Sequence, residues 1–90
     1  MNPDAAWQLL RRTEVARSKD LGALTAEGEH LLTSCSIEAA ALVRTALGLI
    51  ARRQGDQTRA NVLLEAALRD ARTPHIRGRV QLSLSAQHAI

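Results

Sequence analysis

The chain has 90 residues, 46% hydrophobic and 23% charged, with a formal net charge of +3. That length allows one domain with a thin core, and the balance is globular rather than disordered. One Trp, no Tyr and no Phe argue against a single-strand nucleic-acid binder built on base stacking.

Ala and Leu fill a third of the chain, while two Pro and five Gly are few for a turn-rich sandwich. Composition therefore predicts an all-α fold. The single cysteine, Cys35, excludes an internal disulfide framework and a Cys-rich zinc site. No apolar run approaches the ~20 residues that cross a bilayer. Met1-Asn2-Pro3-Asp4 lacks the basic and apolar regions of a signal peptide. The expectation is a cytoplasmic chain with no membrane partner and no cofactor.

Five helices are predicted, at residues 3–18, 20–33, 37–54, 57–72 and 74–89. The first starts on an Asn2 cap, with Pro3 at the first helical position and Asp4 against the positive helix end. Ala6, Leu9, Leu10 and Thr13 form its inner face. Asp20 is the expected cap of the second helix, where Leu21, Leu24, Gly28, Leu31 and Leu32 follow helical spacing. Gly28 lies on that apolar face, which suits close approach of a neighbouring helix.

Ser36 caps the third helix. Ile37, Ala40, Ala41, Val43, Ala46, Leu47, Leu49, Ile50 and Ala51 cover most of its circumference, so it is expected to be central. Gly55-Asp56 ends it and starts the fourth helix. That one has a clean stripe of Ala60, Leu63, Leu64, Ala67, Leu68 and Ala71, with Glu65 and Arg69 as an outer i,i+4 pair. Thr73-Pro74 opens the fifth by a cap-then-proline signal. Residues 80–85 also alternate like a strand, but a lone strand has no partner in this chain, so helix is preferred.

Short connections between such helices force antiparallel neighbours. Residues 41–74, ALVRTALGLIARRQGDQTRANVLLEAALRDARTP, are 34 long and resemble one tetratricopeptide repeat (TPR). Leu47-Gly48 match the Leu-Gly of the first repeat helix, and Gln54-Gly55-Asp56 match the turn. Ala60, Leu64 and Ala67-Leu68 match the second helix. Arg44, Ala51 and Leu64 replace the family's aromatics, and Pro74 comes late. A shift of 35 residues overlays residues 44–51 on 79–86, with Ser83 at the place of Gly48. Upstream, Trp7-x-x-Leu10 matches the opening of a repeat.

The resemblance implies about two and a half repeats in a right-handed α-α superhelix, with Gly48 and Ala60 small because two helices cross there. Residues 38–72 followed by 77–90 are also similar to the N-terminal repeat regions of large bacterial proteins. Some of those end in a caspase-like CHAT peptidase domain, and others are multidomain transcriptional regulators. Relation to such regions implies a sensing or docking segment.

Catalytic signals are poor. Cys35 with His30, His75 or His88 lacks an orienting third group. Glu27-x-x-His30 has di-iron spacing, but the chain holds one such pair and the site needs two. Gly48 and Gly55 make no phosphate loop. The expectation is a protein that is not an enzyme.

What the resemblance implies instead is protein–protein interaction, with first helices lining a concave groove for a peptide or partner helix. On this chain that face carries Arg12, Thr45, Leu49, Arg52, Arg53, Arg77, Val80 and Leu84, flanked by Gln8 and His88. Arginines around an apolar strip suit an acidic, amphipathic segment or a C-terminal carboxylate. The fifth helix is further expected to expose an apolar strip of Ile76, Leu82, Leu84 and Ile90. Covering it would make the chain a homo-oligomer or part of a larger chain or complex.

The alternative partner is nucleic acid. Residues 1–50 carry five basic and six acidic side chains, and residues 51–90 carry seven and three. A helix-turn-helix reading would place Arg59, Asn61 and Arg69 outward on the fourth helix. Asp56 would then repel phosphate, and eleven of the twelve basic residues being Arg suits GC-rich codon usage equally well.

Overall fold

α1 (Asp4–Val15) and α2 (Leu21–Leu32) form one hairpin in the computed structural model, joined through a 3-10 turn at Ser18–Asp20. α3 (Ile37–Arg53) and α4 (Gln57–Asp70) form a second, and α5 (Pro74–His88) follows. The structure describes residues 4–88, with side chains through residue 85. The fold is all-α, with no strand among the described residues. The expected Asn2-Pro3 start, His88 and Ile90 lie outside the described side chains.

Local chemistry sets most of the boundaries. The Ser36 hydroxyl accepts from the Ala39 amide at the start of α3, and the Asp56 carboxylate accepts from the Arg59 amide at the start of α4. Thr73 Oγ1 accepts from the Ile76 amide, so the segment after Pro74 is helix and not strand. Gly55 has φ of 85°, the left-handed conformation that lets the chain leave α3.

Two helix ends and one cap differ from expectation. α1 stops at Val15 because Arg17 is extended, at φ −82° and ψ 156°. Asp20 makes no cap bond, since the 3-10 turn already holds it in a helical conformation. α4 stops at Asp70 because Ala71 is extended ahead of Thr73-Pro74.

α3 is the centre. It packs against each of the other four helices, and residues 39–51 are buried except Arg44. Leu42 and Ile50 are essentially sealed, each worth roughly 1.5–3 kcal/mol of burial. Ile37 departs from expectation at 52% exposed. It begins the helix, and a sequence apolar all round does not say which side its first turn exposes.

Small residues let the helices approach. A Cβ on Gly48 would lie 2.9 Å from Leu64 Cγ and 3.4 Å from the Ala60 carbonyl oxygen, so α3 and α4 cross there. A Cβ on Gly28 would lie 2.9 Å from Leu47 Cδ2 and 3.3 Å from Leu9 Cδ2, where α1, α2 and α3 meet. Ser83, the counterpart of Gly48 in α5, is also buried.

Ion pairs tie the hairpins across their outer faces: Arg12 to Glu27, Arg44 to Asp70 at 2.5 Å, and Arg59 to Glu29 at 3.6 Å. Contacts of Leu9 and Arg12 with Gly28 and Glu27 make α1 and α2 antiparallel. Arg44–Asp70 and Gly48–Ala60 do the same for α3 and α4. The expected Glu65–Arg69 pair is not formed; both side chains are exposed.

The glycines separate two effects. Gly78 is exposed in α5 with nothing within 4 Å of an added Cβ. Gly78→Ala will stabilise by about 0.5–1 kcal/mol, raising Tm by several degrees. Gly48→Ala gains the same helix propensity but forces Leu64 aside, so it will destabilise by about 1–2 kcal/mol. Thermal melts of the two variants against the parent check both signs.

Candidate partner-binding cleft

α1, α3 and α5 run in the same direction, and α1 and α5 meet over α3. Trp7 of α1 faces His75 of α5, with ring centroids 5.1 Å apart and planes tilted by 39°. One helical segment further on, Arg79 donates to Glu14. Arg79 also donates to Ser83 Oγ at 2.5 Å, and Ser83 donates back to the Arg79 carbonyl.

This seam closes the middle of the expected groove. Thr45 and Val80 are 0% exposed and Leu49 is 6% exposed, so three of the sequence-predicted contact residues belong to the core. The Thr45 hydroxyl donates to the Ala41 carbonyl at 2.8 Å, which satisfies it within its own helix. The contacts of Trp7 with His75 and of Glu14 with Arg79 bring α1 and α5 together over this stretch of α3.

Two clefts remain, one on each side of the Glu14–Arg79 pair, and both are lined by that pair. The first, about 450 Å³, is walled by Trp7, Arg11, His75 and Asp4. The second, about 260 Å³, collects the C-terminal halves of α1, α3 and α5. Leu49 is in its floor, Leu82 is on its rim at 65% exposed, and Arg52, Arg53 and Arg79 surround it.

The predicted arginines fall into different states. Arg53 donates to the Thr13 carbonyl at 3.0 Å and also to the Ala16 carbonyl, so α3 caps the C-terminus of α1. Arg12 is engaged by Glu27 on the outer face, away from this cleft. Arg77 is exposed on α5 and lines neither cleft, and Leu84 is half-buried against the core. Arg52 is half-buried at the cleft wall. Sequence reasoning missed Glu14 and Arg79 as a pair, because they are 65 residues apart and no local pattern joins them.

The expected strip on α5 is not continuous. Ile76 and Val80 are buried, Leu84 is partly covered, and Leu82 alone is prominent among the described residues of that helix. The other large exposed apolar side chains, Val15, Ile37 and Val62, lie on α1, α3 and α4.

The scattered titratable residues do not converge. Cys35 is half-buried in the connection between α2 and α3, hydrogen-bonded to neither His30 nor His75. Glu27 is engaged by Arg12, and no group of three or more metal-ligating side chains occurs among the described residues. Of the groups a helix-turn-helix reading would use, Arg59 lies 3.6 Å from Glu29, Asn61 is half-buried and Arg69 is exposed. No described helix is long and apolar enough to cross a membrane.

Comparison with known proteins finds no matching family model, no matching curated protein and no matching solved structure.

The Arg53 contacts have a measurable consequence. Arg53→Met removes both bonds to the end of α1 and will cost about 1–2 kcal/mol. Amide hydrogen exchange will speed up in the last turn of α1 more than in α4. Uniform acceleration across the chain would contradict a local cap.

Proposed function

We propose that this chain is a non-catalytic protein–protein interaction module of TPR type, which receives a peptide or partner helix on the face built by α1, α3 and α5. The observation that carries the reading is the α3–α4 crossing. There a 34-residue unit packs Gly48 on Ala60 and Leu64, turns at a left-handed Gly55 and restarts on an Asp56 cap. Support comes also from the common direction of α1, α3 and α5, which is how first helices of successive repeats stack in a superhelix. The face differs from an open groove in being pinched at Glu14–Arg79, so binding is assigned to the clefts and not to a continuous channel.

The partner is a separate polypeptide. α5 offers a second copy a single prominent leucine among its described residues, far less apolar area than a stable homodimer buries. The clefts combine arginine with apolar side chains, which suits a segment carrying both carboxylates and apolar groups.

Selection of a displayed random-peptide library against the intact chain tests the reading, with random-sequence duplex DNA titrated at two salt concentrations alongside. Enriched peptides that bind with modest salt dependence are expected. No enrichment, together with DNA binding that falls steeply with salt, would replace the module with a nucleic-acid-binding domain.

A further inference from the structure

The cationic groups around the second cleft are unequally occupied. Arg53 is bonded to backbone carbonyls, and Arg79 to Glu14 and Ser83. The Arg52 guanidinium has no hydrogen-bond or ion-pair partner among the described residues, although it is half-buried.

The negative end of α3 favours a cation in its last turn. Half an elementary charge does not balance a whole guanidinium, however, and it gives no reason for Leu82 to stand 65% exposed on the same rim. Three guanidiniums here face one carboxylate, Glu14. A single terminal carboxylate would satisfy one of them. Several acidic side chains on one face of a helix would meet Arg52 and also compete with Glu14 for Arg79.

We propose that this cleft binds an acidic amphipathic helix of a partner protein, with a carboxylate on Arg52 and an apolar side chain against Leu82 and Leu49. Glu14 then holds Arg79 in the free protein as an internal stand-in for a second partner carboxylate. The proposal rests on the interaction-module reading and names the chemistry of its partner. It makes two charge removals act in opposite directions. Losing Arg52 weakens binding, and neutralising Glu14 strengthens it by freeing Arg79.

The probe is a C-terminally amidated amphipathic peptide with glutamates at i and i+4 beside leucines. It is titrated calorimetrically into the full chain, next to a twin carrying glutamines at those positions. The acidic peptide is expected to bind about tenfold more tightly than its twin, and Arg52→Met to remove about that factor. Glu14→Gln is expected to tighten binding about threefold. Circular dichroism checks that this variant is folded; if it is not, the swap at Arg52 decides. There Arg52→Glu rejects the acidic peptide and accepts a lysine counterpart.

Equal binding of the acidic peptide to the parent and Arg52→Met overturns the assignment. Failure of both designed peptides, while a library-selected peptide binds, also overturns it and leaves the module reading standing. Salt-sensitive DNA binding in place of any peptide overturns both.

Discussion

Close passage of α4 across α3 is the constraint from which the remaining architecture follows. Gly48 has no room for a side chain, because Leu64 and the Ala60 carbonyl occupy the space a Cβ would need. This approach lets a chain with one aromatic residue bury its core. Contact between backbones and small side chains replaces the large rings that usually fill such space. Gly28 repeats the device between the first hairpin and α3, against Leu47 and Leu9. With α3 gripped from both sides, twelve of its seventeen residues are buried.

The same economy shapes the surface. Trp7 reaches His75 and Glu14 reaches Arg79, so α1 and α5 close over α3 instead of leaving an open channel. The face built by α1, α3 and α5 is thereby divided into two clefts, with an ion pair as the partition. Exposed pairs of this kind contribute little to stability. Their interest lies in occupying charges that a ligand could otherwise use.

Arginine abundance by itself carried little information. Arg44, Arg12 and Arg59 are each tied to a carboxylate on a neighbouring helix, and Arg53 closes the end of α1. These roles are architectural, and they occupy four of the twelve basic side chains. Arg52 differs from them in being half-buried and unengaged among the described residues, beside an exposed leucine. The distinction between spent and available charge is what gives the second cleft chemical direction.

The sequence by itself determined the helical class, the five elements, the centrality of α3, and the caps at Ser36, Asp56 and Thr73. It also determined the small residues at the crossings. These depend on periodicity and on contacts within a few residues, so they are written locally. Tertiary structure alone decided which residues of α1, α3 and α5 face outward. Thr45 and Val80 carry helical spacing compatible with a groove, yet they became core because the distance between α1 and α5 depends on side-chain volume summed over three helices. Tertiary structure likewise decided that Glu14 meets Arg79 and that Arg52 meets no carboxylate among the described residues. Long side chains on separate helices pair according to helix rotation and offset, and no spacing along one segment encodes either.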